Sequence, residues 1–133
     1  MALTRVRHTQ PCRRFSADRS AFAHASATKA YVSWYEEPLP QQDWAGNRQL
    51  RSALQIPVIG GETLPGLHHA MANALDATAY AAVLCDVYWK GGITGCLKTI
   101  ALCASRGVDV ASHHGASTLM NLANHTGVQL WRG

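Results

Sequence analysis

Apolar runs along this chain end in charge or imidazole at regular intervals. Residues 31–35, Tyr-Val-Ser-Trp-Tyr, run into Glu36-Glu37-Pro38, and Ile56-Pro57-Val58-Ile59 runs through Gly60-Gly61 into Glu62. Tyr80 to Cys85 runs into Asp86, and Val108-Asp109-Val110-Ala111 into Ser112-His113-His114. From Glu36 to Glu62, Asp86 and His113 the steps are 26, 24 and 27 residues. A strand, a helix and their two loops take roughly 25–30 residues, so the spacing predicts successive βα units. Strands of parallel βα units all point one way, and their C-terminal residues converge on one face.

Between the runs the apolar period lengthens from two to that of a helix. Asp43 is placed to cap a helix reaching about Ala53, with Leu50, Ala53 and Leu54 facing inward. Leu67, Met71, Ala74 and Leu75 mark a second helix. Gly91-Gly92 open a third, in which Ile93, Cys96, Leu97, Ile100, Ala101 and Ala104 share a face until Gly107 stops it. Tyr80 to Cys85 lacks alternation, which is how a strand covered on both faces reads. Residues 116–124 are expected to be helical and 128–131 to form a further strand.

At 133 residues the chain is one domain at most, about half of the roughly 250 that a complete eight-fold βα barrel needs. Its net charge of +4 is unevenly placed. Residues 1–30 carry six basic side chains against Asp18, a net of +5, and residues 31–133 a net of −1. The chain therefore divides into a basic leader over 1–30, disordered or weakly helical, and a folded part over 31–133. The leader's Arg, Ser and Ala content resembles a transit peptide, and disordered or non-native sequence explains it equally well. It carries no recognisable reading module, which argues against a nucleic-acid partner. No apolar run approaches the ~20 residues that span a bilayer, so no membrane partner is expected. Cys12, Cys85, Cys96 and Cys103 form no CxxC pair and read as free thiols of a reducing, cytoplasmic protein.

Four strand-end residues carry candidate chemistry. Glu36 and Glu62, on neighbouring strands, offer the carboxylate oxygens that Mg²⁺ takes. Asp86 and His113, on the next two, suit a dyad in which the carboxylate orients the imidazole and raises its basicity. Taken singly, each has a plainer role: a solvated glutamate, a helix cap, a structural histidine. Glu37, adjacent to Glu36, points elsewhere and is expected to support the site or form a salt bridge. His68 and His69 are read as surface or packing residues, and Lys90 as solvent-exposed.

The segments Trp34-Tyr35-Glu36-Glu37-Pro38-Leu39-Pro40, Ile56 to Glu62, Asp86-Val87 through Gly91-Gly92-Ile93-Thr94, and Ser112-His113 resemble the C-terminal barrel of the enolase superfamily. The similarity is greatest to its mandelate racemase/muconate lactonizing enzyme-like members, which include sugar-acid dehydratases. The resemblance covers about residues 31–133. It implies an α/β fold, part of a (β/α)8 TIM-type barrel with about five parallel βα units. By position, Glu36 and Glu62 resemble the second and third Mg²⁺ ligands, and Asp86 and His113 the dyad serving as general acid or base. The implied substrate is a sugar acid, and the implied reaction is dehydration or racemisation through removal of the proton α to its carboxylate.

The family's first Asp ligand, its Lys motif and its capping domain have no counterpart in residues 1–30. The expectation is therefore a truncated C-terminal portion with reduced or absent activity, which self-associates or depends on a missing N-terminal half. The alternative is an inactive barrel segment serving as an assembly module.

Overall fold

A computed structural model of the chain describes residues 33–65 and 67–113. The basic leader, Cys12, His114, and the helix and strand expected beyond residue 115 lie outside the described residues. Four short strands, β1 (Tyr35–Glu36), β2 (Val58–Gly60), β3 (Ala82–Cys85) and β4 (Asp109–Ser112), alternate with helices α1 (Trp44–Ala53), α2 (Leu67–Asp76) and α3 (Gly92–Ala104). The strands form one sheet in the order β1-β2-β3-β4, every pair parallel. A sheet in which each strand lies beside its predecessor, with no reversal of order, is the wall of a βα barrel and not a doubly wound sheet.

Register follows from the sequence at β2. Pro57 has no N–H to donate, so the ladder starts after it, yet its carbonyl still accepts from Tyr35 N at 2.8 Å. Tyr35 then pairs with Val58, Ile59 with Ala82, and Ala82 with Asp109. Alternation sends Val58, Gly60, Val83 and Cys85 to one face, where all are buried beneath the helices. Glu36, Ile59, Leu84, Asp109, Ala111 and His113 line a cleft of about 320 Å³ on the other. Val83, Leu84 and Cys85 are buried in succession, while Ala81 and Ala82 of the same unalternated run are half-buried and line the cleft with Leu84.

The main core lies on the helix side, where Leu50, Val58, Met71, Ala74, Leu75, Tyr80, Val83 and Cys103 pack together. Asp43 caps α1, its carboxylate accepting from Gly46 N at 2.9 Å. The inward stripe of α1 is Gly46, Asn47 and Leu50. Leu54, one turn after Leu50, is half-buried, but Ala53 is exposed, contrary to its expected inward place. The α3 face is also rotated from the expected one. Cys96, Thr99, Ile100 and Cys103 are buried at i, i+3, i+4 and i+7, while Ile93 is 41% exposed and Ala101 and Ala104 face solvent. Apolar side chains dominated the sequence pattern, whereas the geometry buries Thr99 and leaves Ile93 before the first covered turn. Cys85, Cys96 and Cys103 are buried free thiols, as expected. Among the described residues no helix is long and apolar enough to cross a membrane.

Leu50 is fully buried where α1 meets the core. Leu50→Ala is expected to destabilise the chain by about 2–5 kcal/mol, read as a lower urea midpoint at unchanged slope.

Candidate metal and proton-transfer site

Each strand hands one candidate side chain to the same rim. Glu36 ends β1, and Trp34 donates its indole N–H to Glu36 Oε2 at 3.3 Å. Two residues apart on an extended segment, they share a face, a signal present in the sequence. β2 leads through Gly61, at φ +87°, to Glu62. Gly60 lies flat on Tyr80, where a Cβ would come within 2.7 Å of the ring. Asp86 follows β3 and is 2% exposed, its Oδ1 accepting from Tyr88 N at 2.7 Å. His113 follows β4, and its backbone N–H continues the ladder by donating to Cys85 O at 3.0 Å.

The four residues singled out from the sequence meet around the His113 ring. Nδ1 lies 3.1 Å from Asp86 Oδ2, and Nε2 lies 3.1 Å from Glu62 Oε2. Glu36, Glu62 and His113 each offer a ligand atom, and these atoms lie within 4.8 Å of one another. The buried Asp86 carboxylate is suited to hold the proton on Nδ1, which turns the Nε2 lone pair toward the mouth. A lone pair and a carboxylate oxygen at 3.1 Å repel unless a proton lies between them. The site therefore accommodates one positive charge at this point.

Burial raises the Glu62 pKa above the ordinary carboxylate value. His113 opposes the shift, and the negative fields of Glu37, Asp86 and Glu36 add to it. Three carboxylates, Glu36, Glu62 and Asp86, gathered around one imidazole favour a cation. Paired carboxylate oxygens are the donors a hard divalent ion takes, so the donor set fits Mg²⁺, with Glu36 and Glu62 as the available holders.

Two charged residues sit differently from, or more informatively than, the sequence pattern. Lys90 was expected in solvent but is 2% exposed, and its ammonium donates to the Gly61 carbonyl oxygen. The loop after β3 folds back on itself, with Lys90 N donating to Asp86 O at 2.9 Å and Gly92 N to Val87 O at 2.8 Å. That turn sends Lys90 inward and leaves Tyr88 and Trp89 outside. Burial pushes the Lys90 pKa down. Glu37 takes the supporting place expected of it, its Oε1 accepting from Glu62 N at 3.0 Å. His68 and His69 pack against each other on α2, ring centroids 4.5 Å apart, and belong to no metal-binding group among the described residues.

The sequence profile of the family described as enolase C-terminal domain-like matches residues 10–130. The D-galactarolactone cycloisomerase of Agrobacterium fabrum is 32% identical over 82 residues, which are 62% of this chain and 21% of the relative. The L-talarate/galactarate dehydratase of Salmonella typhimurium is 31% identical over 102 residues, 74% of this chain and 24% of the relative. The crystal structure of D-glucarate dehydratase from Agrobacterium tumefaciens, complexed with magnesium, superposes with a TM-score of 0.75 at 30% identity. That alignment covers 86% of this chain and 29% of the dehydratase. The chain thus spans less than a third of the length of each of these three proteins.

A carboxyl whose pKa is raised on folding favours the protonated folded state. Its contribution to stability is complete below the unfolded carboxyl pKa and is lost as pH rises through the raised value. In chelator, Glu62→Gln is therefore expected to flatten the fall in stability as pH rises from the ordinary carboxyl range, about 4, through the raised pKa. Urea midpoints across that range are the measurement, and wild type and variant should converge at the acid end.

Proposed function

Because the chain belongs to the enolase C-terminal domain-like family, we propose that its strand-end cluster is a Mg²⁺-dependent site for removing the α-proton of a sugar acid, leading to dehydration or racemisation. Glu36 and Glu62 would hold the ion. When bound, Mg²⁺ supplies positive charge beside the substrate carboxylate, where negative charge grows as the proton leaves.

The chain's own residues account for the proton. His113 Nε2, which meets Glu62 Oε2 at 3.1 Å, would have its lone pair free for the α-proton once Glu62 holds the ion, and the C–H electron pair moves toward the carboxylate. Asp86 keeps the other proton on Nδ1 and stabilises the imidazolium that forms. In dehydration that imidazolium returns its proton to a departing β-hydroxyl, which leaves as water. Atoms and charge balance without an oxidant or reductant.

The observation that carries this reading is the His113 ring held between Asp86 and Glu62 at 3.1 Å on each side. Support for the substrate class comes from the relatives, named for galactarate, talarate, glucarate and galactarolactone. Closure of the barrel belongs to the same proposal. The described sheet has β1 and β4 as its edges, so further strands must come from other residues, a second copy or a separate chain.

The test is exchange of the α-proton of sugar acids such as galactarate and glucarate, followed by NMR in D₂O. Exchange is expected only with Mg²⁺ and should stop on chelation. His113→Asn should lower its rate by about 10²–10⁴-fold, the usual worth of a general base. Asp86→Asn should also slow it, by releasing the ring orientation. Exchange that survives His113→Asn, or needs no divalent ion, would refute the assignment.

A further inference from the structure

The Gly61 carbonyl and the Glu62 N–H belong to a single peptide group, and a charged side chain holds each end of it. Lys90 donates to the carbonyl oxygen, and the Glu37 carboxylate accepts from the N–H at 3.0 Å. The cation meets the negative end of the peptide dipole and the anion its positive end. Two partly desolvated charges thus compensate each other through a group that is neither.

This peptide needs such control. Gly61, at φ +87°, lacks the Cβ that restricts rotation, so the plane between Gly61 and Glu62 can turn over at little steric cost. A turned plane would re-aim the Glu62 side chain away from Glu36 and His113. Neither partner is free to drift. Lys90 is 2% exposed, and Gly95 of α3 packs so closely against the Lys90 carbonyl that a Cβ there would overlap it. Glu37 is itself at φ +45°, a conformation costly for a side-chain-bearing residue, and its N–H is held by the Ile59 carbonyl at 2.9 Å.

We propose that Lys90 and Glu37 are positioning residues: they clamp the Gly61–Glu62 peptide from both ends and so fix the direction in which Glu62 enters the rim. The inference rests on the reading of Glu62 as an Mg²⁺ holder, and it assigns the buried lysine to the supporting structure of that holder.

The test uses the whole chain and its Lys90→Met, Glu37→Met and Lys90→Arg variants. Two quantities are measured, amide hydrogen exchange at Glu62 and Mg²⁺ affinity by calorimetry. Each Met variant should speed Glu62 exchange and weaken Mg²⁺ binding by about tenfold or more, the usual effect of losing an outer partner of a ligand. Protection at Val83 and Leu84 should persist, because β3 is held between β2 and β4 over the apolar core and not by Lys90. Lys90→Arg, which keeps a donor, should retain most of the protection. The double Met variant should be little worse than either single one, because both act on one peptide.

Wild-type Glu62 protection and affinity in Lys90→Met would overturn the clamp. If that variant loses β3 protection, Glu37→Met decides the matter from the other end, and unchanged Glu62 exchange there overturns it equally. Should the wild-type chain bind no Mg²⁺, the metal reading fails while Glu62 exchange still decides the clamp.

Discussion

One imidazole ring ties three strands together. His113 reaches Asp86 at the end of β3 and Glu62 beyond the end of β2, while its own backbone N–H extends the β3–β4 ladder. All three contacts depend on parallel direction and on a register that brings the strands to a common height. A slip of one residue in β4 would turn His113 to the helix side of the sheet, because side chains alternate faces. The ring therefore depends on the register set further back in the sheet, where Ala82, Val83, Leu84 and Cys85 pair in turn with Asp109, Val110, Ala111 and Ser112.

The two faces of the sheet divide the work. Val58, Val83, Met71, Leu50 and Tyr80 make a continuous apolar core beneath the helices, and this burial supplies the driving force for folding. The opposite face carries Glu36, Asp109 and His113 beside Ile59 and Leu84 around an open cleft. Charged groups collect where water and ligand can enter, and the core beneath keeps the strand ends from moving apart. Gathering Glu36, Glu37, Glu62 and Asp86 costs mutual repulsion, visible in the upward pull they exert on Glu62. A cation held among them would offset that cost.

The loops beyond the strands are more than connections. Tyr80 crosses from the start of the β3 segment to donate its hydroxyl to Gln41 O at 3.1 Å, anchoring the loop that follows Glu37. The loop after Asp86 curls so that Tyr88 caps the carboxylate through its backbone N–H and Lys90 reaches back under β2. Support for Glu62 thus comes from residues before it and residues nearly thirty positions after it.

The order of the strands and the identity of the residues at their ends were legible in the chain itself. A repeat of some 25 residues, each ending in an acid or imidazole, leaves a parallel βα wall few alternatives, and parallel direction then gathers Glu36, Glu62, Asp86 and His113. Burying stripes were legible only roughly, as Ile93 and Thr99 of α3 show, because packing follows helix rotation as well as apolarity. The inward turn of Lys90 had no local signature: a lysine beside two glycines reads as solvated until the loop's own hydrogen bonds and the approach of Gly95 decide its direction. Periodicity records which face a residue takes within its own element. What that residue touches across elements is decided only when the strands have paired and the loops have closed over them.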